Sequence, residues 1–75
     1  MKPIVGHLYN TNKGIKVAIF DEDYTVYDNY IYRAVYIGDH SERAEDYHWF
    51  NAKGNSPPEL PPRLKLIEDL TDKIL

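Results

Sequence analysis

Tyr30-Ile31-Tyr32-Arg33-Ala34-Val35-Tyr36-Ile37 is the stretch on which the fold turns. It is dense in Tyr, Val and Ile, residues that suit a pleated, half-buried surface. At the strand period of two, Ile31, Val35 and Ile37 share one side, interrupted by Arg33, and Tyr30, Tyr32 and Tyr36 share the other. The aliphatic side can face the core, which leaves the tyrosines projecting from the opposite face; if a C-terminal helix packs on the tyrosine side instead, the rings are core. Tyr24 is expected to join them from a neighbouring strand.

Working towards the N-terminus, Tyr24 to Tyr27 reads as that neighbouring strand, joined through a two-residue turn at Asp28-Asn29. Asp21-Glu22-Asp23 ends an earlier strand, Ile15 to Phe20, in which Ile15, Val17 and Ile19 alternate. Asn10 to Gly14 is turn chemistry, and Ile4 to Tyr9 is apolar and β-prone. Residues 4–37 therefore predict a four-stranded meander.

Working towards the C-terminus, Gly38-Asp39 ends the run, and His40 to Asp46 reads as a loop or one helical turn capped by Ser41. Tyr47-His48-Trp49-Phe50 suits a short fifth strand or a plug over the core. Gly54-Asn55 marks a turn. Pro57-Pro58-Glu59-Leu60-Pro61-Pro62 is incompatible with helix or central strand and predicts polyproline II. Leu60, Leu64, Ile67, Leu70 and Ile74 then recur three or four apart, which predicts a helix over 63–74 behind Pro61-Pro62. The expected fold class is α+β. A small antiparallel sheet of four to five strands, a meander or an SH3-like partly open barrel, would pack against one C-terminal helix. The expected domain is single and spans 1–75, with an irregular aromatic and proline segment at 38–62.

Length and composition bound the function. A chain of 75 residues suits one domain. With no cysteine there is no disulfide framework or thiolate metal site, which leans towards a reducing, cytoplasmic setting, the host cytoplasm for a viral protein. The longest apolar run, Val17-Ala18-Ile19-Phe20, is far below bilayer length, and Met1 to Gly6 lacks a signal-peptide core. No membrane association is expected.

The residues that could carry catalysis do not form a pattern. Asp39-His40-Ser41 contains the right residue types, but neighbours in sequence rarely converge as a triad, and a polar turn with a helix cap is the simpler reading. His7, His40 and His48 lie on separate segments. Asp46 with His48 would make only two metal ligands where a catalytic zinc needs three. The four glycines are isolated, so no phosphate-cradling loop is present. No enzyme activity, metal or cofactor is expected.

Binding is the better reading. Tyr24, Tyr30, Tyr32 and Tyr36 would offer rigid apolar area with polar tips, a good contact surface if it is not core. Asp21, Glu22, Asp23 and Asp28 add local negative charge, suited to a partner with a basic surface and otherwise simply solvated turns. The expectation is a non-enzymatic protein-binding module. Small acidic chains of this kind include phage and mobile-element products that inhibit a host enzyme or defence complex, anti-CRISPR proteins among them, so an inhibitor of that kind is included. An SH3- or OB-like nucleic-acid module using Tyr30, Tyr32 and Arg33 is the alternative, but a pI near 5.5 and the lack of a Lys/Arg cluster weigh against it. A subunit that self-assembles through a strand edge, such as a homodimer, is a further reading. The proline run contains two Pro-x-x-Pro frames, a possible SH3-type ligand, though a stiff connector is simpler.

Overall fold

The computed structural model describes residues 1–37 and 47–74, the side chains of the last two of these excepted. Five strands, β1 (Leu8–Thr11), β2 (Lys16–Glu22), β3 (Tyr32–Ile37), β4 (His48–Phe50) and β5 (Leu66–Asp69), form one antiparallel sheet in the order β4-β3-β2-β1-β5. The first four are a meander, and β5 returns to the far side of β1. Residues 38–46 carry the expected Ser41-capped turn, the Asp39-His40-Ser41 cluster and the carboxylates Glu42, Glu45 and Asp46. These lie outside the described residues.

The sheet curls into a half-barrel because its two edges are tied together. Asn51 N–H bonds to the Asn55 carbonyl at 2.9 Å, closing a tight turn directly after β4. Residues 54–56 then pair with 64–66: Leu66 N–H reaches the Gly54 carbonyl at 2.8 Å, and Ser56 N–H reaches the Leu64 carbonyl at 2.9 Å. The chain leaving one edge is thereby stitched to the start of the other. Gly54 is needed there, with φ of +83°, and a Cβ on it would run into the Met1 carbonyl oxygen.

The curl decides which face is the core: it is the tyrosine face of β3, and not a solvent-facing patch of Tyr32 and Tyr36. Tyr32 and Tyr36 are each only 6% exposed and pack with Tyr9, Val17, Ile19, Ala34, Phe50, Leu64 and Leu66 on the concave side. Val35 and Ile37 stand half-buried on the convex side. Both faces of this strand are apolar, so alternation alone cannot choose between them. With no helix layer among the described residues, the interior is filled from the sheet's own concave face, and large rings fill it better than Val and Ile.

The helix expected over 63–74 is absent. Its place is taken by β5, followed by a single helical turn at Thr71–Ile74. Leu64 and Leu66 point inward at the strand period, whereas Ile67, a core position of the expected helix, is 51% exposed. Pairing with β1, Tyr9 opposite Asp69 and Asn10 opposite Glu68, gives the backbone hydrogen-bond partners that a short isolated helix would lack support for.

Three further expectations are corrected. The first strand is Leu8–Thr11 and not Ile4 to Tyr9, because the chain turns before it, with His7 N–H on the Ile4 carbonyl at 3.0 Å. Tyr24 to Tyr27 is not a strand and Asp28-Asn29 is not a hairpin turn: residues 23–31 form one loop, closed by Asp23 N–H on the Ile31 carbonyl at 2.7 Å. The proline run is not extended polyproline II either. It turns back on itself, with Leu60 N–H on the Pro57 carbonyl at 3.1 Å, so that Ser56 can meet Leu64. The fifth strand expected at Tyr47 to Phe50 is present as β4, with all three of its residues buried.

Candidate functional site

On the convex face, the side chains with most chemistry gather around Arg33. The cause is local to β2. The register slips between Ile19, opposite Ala34, and Asp21, opposite Arg33, so Phe20 is an extra residue in a β-bulge. Phe20 and Asp21 therefore both lie against Arg33. From the other side, β4 places Trp49 opposite Arg33. The guanidinium carbon sits 4.7 Å from the centroid of Phe20, 5.0 Å from Tyr47 and 5.8 Å from Trp49, within cation–π range of all three rings. Phe20 and Tyr47 are themselves 5.5 Å apart.

Carboxylates complete the arrangement. Arg33 Nη1 donates to Asp23 Oδ2 at 3.4 Å, and Arg33 Nε lies 3.9 Å from Asp21 Oδ2, buried but beyond hydrogen-bond reach. Asp23 also anchors the loop that follows. Its Oδ1 accepts from the Thr25 hydroxyl and from Thr25 N–H, and these bonds, with a smaller contribution from Arg33, hold its carboxyl below the usual range. The loop's apolar residues stay outside: Tyr24 is 68% exposed and Val26 58%. The Tyr24 hydroxyl donates to Glu22 Oε2 at 3.1 Å, which pushes the phenol pKa up.

The ring contacts continue through the buried Trp49. Tyr27 meets Trp49 edge-on at 5.4 Å and Tyr30 edge-on at 6.1 Å. A band thus runs from Tyr30 through Tyr27 and Trp49 to Arg33, Phe20 and Tyr47. Asp21, Glu22 and Asp28 are exposed beside it.

Of the residues expected to form the site, Asp21, Glu22, Asp23, Tyr24 and Asp28 lie together on this loop or its rim. Tyr30 is half-buried at the end of the band. Tyr32 and Tyr36 are core residues, so their place on a solvent-facing patch is withdrawn. Phe20, Tyr27, Arg33, Tyr47 and Trp49 were not singled out as a surface group. Arg33 was the available signal, since a lone cation on an apolar strand face needs partners on that face.

Two other polar groups are built into the fold. His7 Nδ1 lies 2.7 Å from Asp69 Oδ2, Thr71 N–H donates to Asp69 Oδ1 at 2.9 Å, and Thr71 Oγ1 accepts Leu8 N–H at 2.9 Å. The His7 bond first, then those from Thr71, lower the Asp69 pKa to about 2. The hydroxyl faces the carboxylate and not the imidazole, so the trio ties β5 to β1 and does not form a nucleophile relay. His48, considered as a metal ligand, is instead buried between Tyr36 and Phe50, with Nδ1 3.3 Å from the Tyr36 hydroxyl. Its Nε2 makes no well-formed hydrogen bond. The Pro62 carbonyl favours the protonated ring, but burial outweighs it and lowers the His48 pKa. Among the described residues, no three His, Asp or Glu side chains converge to hold a metal ion.

No protein-family model, no curated protein and no solved structure matches this chain.

Proposed function

We propose that the protein is a non-enzymatic binding module that docks a protein partner with a basic surface. The contact would be made by Phe20, Tyr47, Tyr24 and Val26 together with Asp21, Glu22 and Asp28. The observation that carries this reading is the joining of exposed apolar side chains to local negative charge. Residues 20–33 hold Asp21, Glu22, Asp23 and Asp28 against Arg33, a net of −3, equal to the formal charge of the whole chain. Arg33 fixes the rings and Asp23 fixes the loop root, so little ordering is required on binding. Apolar contact would supply affinity, and the carboxylates would steer a cationic partner and set its register. Inhibition of a larger enzyme or defence complex is one use that such a module could serve.

The test compares the immobilised full chain with Tyr24→Ser/Val26→Ser and with Asp28→Lys, all checked for equal thermal midpoints. The reading expects a basic protein that the parent retains, that salt weakens, and that both variants lose. Retention of the same proteins by both variants overturns it. Salt-sensitive micromolar binding of labelled RNA or DNA would move the reading to a nucleic-acid module.

A further inference from the structure

Where the 23–31 loop meets the turn after β4, the surface dips into a depression of about 410 Å³ lined by Asn29, Tyr30, Asn51, Ala52 and Lys53. We propose that this depression binds a free mononucleotide, its base stacked on Tyr30 and its phosphate held by Lys53.

Three features of the lining support that ligand. The Tyr30 ring is braced edge-on by Tyr27, which is braced by Trp49, so a stacking platform exists before any ligand arrives. The Asn51 carboxamide is locked: its Oδ1 accepts Lys53 N–H at 2.9 Å and Asn55 N–H at 3.0 Å. The remaining amide NH2 makes no hydrogen bond among the described residues, and in a lining residue it is a pre-oriented pair of donors for the acceptor edge of a base. The exposed carboxamide of Asn29 adds one donor group and one acceptor. Lys53 is the single cation of the lining among the described residues.

Charge argues for a free nucleotide over a polymer. One lysine complements one phosphate, while the 20–33 segment, which supplies Asn29 and Tyr30 and carries −3, repels a continuing run of phosphates. The site uses Tyr30, Asn51 and Lys53, not Phe20 or Tyr24, so it stands or falls apart from the docking surface.

The test is an NMR titration of the full chain with AMP, with adenosine and ribose 5-phosphate as controls. The expected result is saturable shifts at the amides of residues 29, 30 and 51–53, with sub-millimolar affinity for AMP. Tyr30→Leu should weaken AMP about ten-fold or more. Lys53→Gln should weaken AMP about five-fold and leave adenosine unchanged. Lys53 is exposed and its substitution leaves the fold alone, so this arm is decisive even where Tyr30→Leu lowers stability. Three results overturn the proposal: no saturable shift with about 5 mM AMP, ribose 5-phosphate binding as tightly as AMP, or a single-stranded oligonucleotide binding more tightly than AMP with a steep salt dependence.

Discussion

Replacing Tyr32 or Tyr36 by Ser tests the central feature of the fold, that the tyrosine face of β3 is the core. Both rings are 6% exposed and pack within one cluster with Tyr9, Ile19 and Phe50. Truncating a buried aromatic costs about 3–5 kcal/mol, because the transfer free energy is lost and a cavity remains. At about 0.05–0.15 kcal/mol per residue, a chain of 75 residues has about 4–11 kcal/mol of total stability. One substitution should therefore lower the melting temperature by more than about 12 °C, at about 4–8 °C per kcal/mol for this size, and the pair should abolish the folded state. Tyr36→Phe keeps the ring and gives up the hydroxyl's contact with His48 Nδ1, so it should cost about 1 kcal/mol. Tyr24→Ser, at 68% exposure, should stay within about 0.5 kcal/mol. Circular-dichroism melts with parallel urea unfolding measure all five variants. If Tyr32→Ser melts within a few degrees of the parent, the rings are not core and the concave packing described above is wrong.

Three further outcomes are expected. Burial depresses the His48 pKa below 6.5, so the unfolded chain binds its proton first, and stability should fall as pH drops through about 6.5; His48→Phe should flatten urea midpoints between pH 7 and 5, and an unchanged slope would contradict the burial. Asp69, lowered from 3.8 to about 2, adds stability above its unfolded pKa that is lost as pH falls from about 4 through 2; Asp69→Asn should remove that acid limb, which a pH series of melts records. Gly54→Ala should destabilise by at least about 1–2 kcal/mol, because it sets an L side chain at φ of +83° and against the Met1 carbonyl, and a neutral melt would refute the close approach.

Parts of this fold and site were legible in the residues alone. Val17 and Ile19 alternate unambiguously, and both are buried as the strand pattern requires. Tyr47 to Phe50 is too aromatic and too short for anything but a strand or a plug, and β4 is that strand. Asp21, Glu22, Asp23 and Asp28 could be read as a local negative group because they are close in the chain and remain so in the fold. The acidic half of the candidate site follows from that. Its aromatic half does not, since Phe20, Tyr47 and Trp49 meet Arg33 only through pairing across three strands.

The tertiary structure decided what local pattern left degenerate. In 31–37 both strand faces are apolar, so only the inward curl and the volume it encloses could select Tyr32 and Tyr36 for the core. Between Leu60 and Leu70, leucines and Ile67 satisfy a helical spacing while Leu64 and Leu66 satisfy a strand spacing. The open edge of β1 settled the matter by offering backbone partners that a helix could not use. A bulge at Phe20 has no signature in composition, yet it turns one ring and one carboxylate onto the same guanidinium. Periodicity records which residues can share a face. Only long-range pairing records which face has something to close over it.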